Sequence, residues 1–106
     1  MDEFAGRLRE TVTIEQWVVD ADAGTPGRWR AAGLAWAALV PVDLSLLADI
    51  GERRIGRPRF RLTLRLPTVA VVTSRFRWQT RVLAIVRAEP DPRRRDCLTF
   101  LVEDRT

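Results

Sequence analysis

The sequence predicts a mainly β protein: a small β-barrel or sandwich of about five to six antiparallel strands, with one short helix or helical loop inserted after the second strand. Three observations predict it. PRFRLTLRLP alternates Phe60, Leu62, Leu64 and Leu66 with Arg59, Arg61, Thr63 and Arg65, the period-two pattern of a strand with one buried and one cationic face. Apolar runs of this kind are separated by Gly, Pro and Asp turn signals roughly every ten residues. The 106 residues suffice for one domain with one modest core, so residues 1–106 read as a single domain.

The first strand is TVTIEQWVV, residues 11–19, where Val12, Ile14 and Val18 share a side. DADAGTPG follows as a loop with tight turns. GRWRAAGLAWAALVPVD, residues 27–43, has no polar stripe at helical period and is interrupted by Gly33 and Pro41. It reads as a strand with Leu34, Trp36, Ala38 and Val40 on one face and Ala35, Ala37 and Leu39 on the other. Both faces are apolar, as in a strand covered on both sides. Trp36 is therefore expected in the core with Phe60, Leu62, Leu64 and Phe100, and Trp29 partly exposed at an interface.

In residues 43–56 the period changes. Leu44, Leu47 and Ile50 fall on one helical face, and Gly51 or Gly56 can end the segment. After the arginine-bearing strand, bracketed by Pro58 and Pro67, comes the apolar run 69–72. Strands are expected over 75–78 and 81–88, with a turn at Gln79–Thr80 between them. PDPRRRD is a loop, and CLTFLVE closes the domain with Leu98, Phe100 and Val102 alternating.

Composition narrows the function. The chain has no histidine, which removes the commonest general base and metal ligand. It has one cysteine, Cys97, which cannot form an internal disulfide and reads as part of a strand. No phosphate-binding glycine loop and no metal-spaced Cys/His cluster is present. The carboxylates near loops, Asp20, Asp22, Asp43 and Asp49, form no pair suited to acid–base work. Neither an enzyme nor a cofactor is expected. No apolar run approaches the roughly 20 residues of a membrane span. The charged start MDEFAGRLRETV lacks a signal-peptide apolar region, so a cytoplasmic protein is expected.

All 18 basic residues are arginine. Ten of them lie between Glu52 and Glu89, an interval without one acidic residue; the other eight share the ends with all 14 acids. The layout suggests two electrostatic faces. Arg59, Arg61 and Arg65 could lie beside Arg75 and Arg77 on a neighbouring strand. They would then form either a solvated face or a surface for phosphates or an acidic partner.

The ordered features resemble the small phage head–tail joining proteins, also called head-closure or stopper proteins, over nearly the whole chain. The resemblance is carried by GRLRETVTIEQ (6–16), the loop and Trp of DADAGTPGRW, LAWAALVPV (34–42), LSLLADIGERRIGRPRFRLTLR, and TRVLAIVRAEPDP. Thr80 departs from it, standing where the family often has glycine. A similar protein occurs in gene transfer agents, which are phage-like particles.

The resemblance implies a structural connector in the neck of a virion or phage-like particle, assembled in the bacterial cytoplasm. It would form a ring of itself, in six or twelve copies, below the portal and adaptor proteins. Tail terminator and tail tube proteins would lie below the ring. Packaged double-stranded DNA would be held non-specifically in the channel, and no membrane is involved. The segment 43–57 is implied to project toward that channel, with Arg53, Arg54 and Arg57 facing the lumen or the DNA. The basic middle and acidic ends could pair between neighbouring subunits. The alternatives are a free-standing nucleic-acid-binding barrel and another connector layer, adaptor or tail terminator.

Overall fold

The structure is a computed structural model that describes residues 8–20, 22, 24, 26–42 and 57–106. They form β1 (Glu10–Val18), β2 (Arg28–Pro41), β3 (Arg59–Arg65), β4 (Arg75–Trp78), β5 (Arg81–Ala88) and β6 (Cys97–Asp104). Each neighbouring pair is antiparallel, and the order β1-β2-β3-β6-β5-β4 closes into a barrel when β4 pairs with β1. The expected mainly β fold is thus a small closed barrel. Closure leaves no sheet edge where the strands overlap. The helix expected within 43–56 lies outside the described residues.

Antiparallel order sorts the connections between two rims. One rim gathers the starts of β1, β3 and β5 and the ends of β2, β4 and β6. Residue 42 leaves β2 and residue 57 approaches β3 at this insertion rim. The far rim carries the connections 19–27, 66–74 and 89–96.

The core follows from alternation. Phe60, Leu62 and Leu64 of β3 point inward with Phe76, Leu83, Phe100, Val102, Val12 and Ile14. Phe76 and Phe100 meet across the centre, with ring centroids 5.8 Å apart. Ala70, from the connection after β3, is buried with them. That loop is held by Thr68 Oγ1 accepting from the Ala70 amide, by Ser74 Oγ accepting from the Val71 amide, and by Gln16 Nε2 donating to the Val69 carbonyl at 3.1 Å. At the insertion rim Trp78 lies edge-on to Phe60 at 5.5 Å and donates its indole N–H to Glu10.

Trp36 is corrected here: it lies on the outside of β2, 61% exposed. Inside a six-stranded barrel filled by three phenylalanines and several leucines, the positions at the middle of β2 must be small. Ala35 and Ala37 occupy them. The phase is set by a bulge: Ile14, buried, pairs with Gly33, and the register then shifts so that Glu15 pairs with Ala31. With Gly33, Ala35 and Ala37 turned in, Leu34, Trp36 and Val40 turn out.

The turn between β4 and β5 is the expected two-residue loop, since Trp78 pairs with Arg81. Its positive φ, 57°, falls on Gln79 and not on Thr80. Positive φ at the first central residue is the type II′ requirement that glycine meets best.

Candidate functional site

The barrel wall has two unlike halves. Outside β3, β6 and β5, ion pairs cover the sheet. Arg59 and Arg105 both donate to Glu103, at 3.0 and 2.6 Å. Arg61 and Arg87 both donate to Glu89, at 2.9 and 3.0 Å, and Arg81 pairs with Asp104 at 3.1 Å. Thr63 and Thr99 hydroxyls hydrogen-bond between these networks. On the outside of β2, in contrast, Leu34, Trp36 and Val40 are 74%, 61% and 49% exposed. Three large apolar side chains on one strand face are more than the scattered surface hydrophobics of an ordinary monomer.

This geometry redistributes the arginines that the sequence grouped together. Arg59, Arg61 and Arg65 are on β3, and Arg75 and Arg77 on β4. β3 and β4 are not neighbours: β6 and β5 separate them on one side, β2 and β1 on the other. The five therefore do not form one cationic face. Arg75 instead pairs with Glu15 on β1 at 2.6 Å, and Arg77 approaches the same carboxylate at 3.9 Å. The charge asymmetry of the sequence is answered largely inside the chain, because the basic middle strands pair with the acidic first and last strands. Of Arg53, Arg54 and Arg57, the first two lie outside the described residues. Arg57 is exposed at the insertion rim, just before β3.

A second aromatic group stands at the far-rim end of β1 and β2. Trp17 and Trp29 are directly opposite in register and meet edge-on at 5.4 Å. The Arg75 guanidinium lies 4.4 Å from the Trp29 ring centre, a cation–π contact, while its Nε holds Glu15. Trp29 is thus half-buried by partners in its own chain, and Trp17 keeps an exposed face. Beside Trp36, a cleft of about 380 Å³ is lined, among the described residues, by Leu8, Ala35 and Arg65. Nothing in this set performs bond chemistry. An apolar stripe with tryptophans and a flanking cleft can bind another protein surface.

The carboxylates of the ionic half titrate low. The Arg61 guanidinium holds Glu89 below its ordinary value, with Arg87 adding to it. For Glu103, burial pushes upward, but the hydrogen bonds from Arg59 and Arg105 outweigh it and the net direction is down. Asp104 is lowered first by the Thr106 hydroxyl, against burial, with Arg81 contributing. Because all three pKa values lie lower in the folded chain, they stabilise it fully above the unfolded values, near pH 4. That stability is lost as pH falls through the folded values. Thermal melts should be level from pH 7 to about pH 5 and drop by several degrees below pH 4. A melting temperature that rises on acidification would contradict these pairs.

No protein-family model matches the chain, and no curated protein matches it. Among solved structures, protein SF1141 from Shigella flexneri 2a, determined in solution, aligns with a TM-score of 0.70 and 26% identity, over 95% of this chain and 96% of that one. A chain from the virion of a native gene transfer agent particle aligns with a TM-score of 0.65 and 21% identity, over 91% of this chain and 94% of that one. The barrel fold is shared with a virion component.

The sequence reading missed the outer stripe of β2, although it separated the two faces correctly. One signal was present: of the two faces, that of Ala35, Ala37 and Leu39 had the smaller side chains and was the one that could fit inside a narrow barrel.

Proposed function

We propose that this chain is a head-closure, or stopper, protein of a tailed phage or phage-like particle. Identical copies form a ring below the portal and adaptor, retain packaged DNA and dock the tail. The observation that carries the reading is the fold shared, over nearly the full length of both chains, with a chain of a gene transfer agent virion. The role is structural and not catalytic, and its place is the neck of the particle.

The topology supports a division of labour. The connection between β2 and β3 leaves and re-enters the barrel at one rim, so Arg53, Arg54 and Arg57 belong to the segment that rim presents. In the ring they face the channel and neutralise phosphates of the held DNA without reading its sequence. The ion-paired outer wall argues against a free-standing DNA-binding barrel, because its arginines already hold carboxylates.

Particles carrying Arg53→Glu with Arg54→Glu should lose packaged DNA and titre at least tenfold, while the isolated chain binds duplex DNA only weakly at physiological salt. Unchanged DNA retention and titre would overturn the channel assignment. Tight DNA binding by the monomer, with a steep salt slope, would favour the nucleic-acid-binding alternative.

A further inference from the structure

We propose that the wall formed by β3, β6 and β5 faces the packaged DNA and touches its phosphate backbone. The inference rests on the ring reading and assigns the side of the barrel that lines the channel.

Charge sorts between the two halves of the barrel. Residues 57–65 and 81–106, which hold β3, β5 and β6, carry ten arginines and five acidic residues. The 89–96 connection supplies three of each, so the excess stands on the strands and their immediate flanks. The remaining described residues carry five arginines and four acidic residues. The ion pairs of the wall order its arginines without cancelling them, because two carboxylates are each shared by two guanidiniums. Glu103 is shared by Arg59 and Arg105, and Glu89 by Arg61 and Arg87. Arg59, Arg61 and Arg105 are held through Nε. Their terminal nitrogens make no hydrogen bond among the described residues and remain for an outside acceptor. A guanidinium fixed in this way presents the planar fork of donors that matches phosphate oxygens. In register, Arg61 and Arg87 stand on either side of Leu101, and Arg59 stands beside Glu103. The row continues past the start of β3 to Arg57, exposed at the insertion rim. The wall therefore runs without a break into the rim already assigned to the DNA.

Apolar surface sorts the other way. Of the ten large hydrophobic residues exposed among the described residues, nine lie outside 57–65 and 81–106, and Val86 is the one within them. Protein interfaces are anchored by apolar and aromatic side chains, whereas contacts to a nucleic-acid backbone come from arginines and hydroxyls. A wall of arginines with the Thr63 and Thr99 hydroxyls between them has the second composition. The shared carboxylates weaken the pull on each phosphate, in keeping with the weak DNA binding expected of an isolated chain.

Cys97 is the sole cysteine, so Cys97→Ser gives a chain without thiols. In that background Arg61→Cys places one thiol on the wall. Thr11→Cys places one on exposed β1, which lies opposite β6 in the closed order. In purified, DNA-filled particles each thiol is labelled with a thiol-specific aryl azide and irradiated. The expected result is a covalent chain–DNA adduct from position 61 at least fivefold more abundant than from position 11. Equal adducts at the two positions, links from position 61 to protein alone, or no adduct at position 61 would each overturn the assignment. Arg54→Cys in the same background separates this inference from the reading it rests on. A DNA adduct at position 54 with none at 61 overturns the wall assignment and leaves the channel reading standing. No DNA adduct at either position, or absence of the chain from the particles, overturns both.

Discussion

Phe100→Ala should strongly destabilise the barrel. Phe100 is 1% exposed, packs on Phe76 and sits on β6 between β3 and β5. Removing a phenylalanine from such a position costs about 3–5 kcal/mol, through lost burial and the cavity left behind. A domain of this size has a total stability on the order of 5–15 kcal/mol. Trp36→Ala, a larger truncation on the outside of β2, should cost less than about 1 kcal/mol. Urea unfolding of the two variants checks both values. Equal costs would mean that the inward and outward faces of β2 have been assigned the wrong way round.

Glu15→Ala should be the most destabilising loss of a single charge among the described residues. The Glu15 side chain is 9% exposed, whereas that of Glu89 is 22% exposed. Its carboxylate accepts from Arg75 at 2.6 Å and faces Arg77. Arg75 in turn covers Trp29, which packs on Trp17. Removing the carboxylate leaves a three-quarters-buried guanidinium without its partner, at a cost of about 1–3 kcal/mol. Glu89→Ala, which breaks more exposed pairs, should cost about 1 kcal/mol or less. If the two cost the same in chemical unfolding, the Glu15–Arg75–Trp29 arrangement is not holding the hairpin.

The fold was legible in the sequence wherever each strand face had one kind of chemistry. Along β3, apolar and polar positions alternate without exception from Arg59 to Arg65, and the structure follows that alternation residue by residue. The turn at Gln79–Thr80 was legible from the strands on either side of it. β2 was legible as a strand but not in its orientation. Both of its faces are apolar, so pattern alone does not choose between them. The choice is made by barrel diameter and by the bulge opposite Ile14, which are properties of the closed sheet.

The charge pattern misled for a related reason. Arg59 and Glu103 are 44 residues apart in sequence yet directly opposite in register. Clustering along the chain therefore says little about clustering on the surface. The candidate docking stripe was hidden in the same way, since its residues read as core until the closed barrel turned them outward.

Head closure in a tailed, phage-like particle is the role proposed for this chain. The most direct test is electron microscopy of particles made by cells lacking this chain alone. The expected result is full-sized heads that have lost their DNA, with detached tails beside them. Normal, tailed, DNA-filled particles would contradict it.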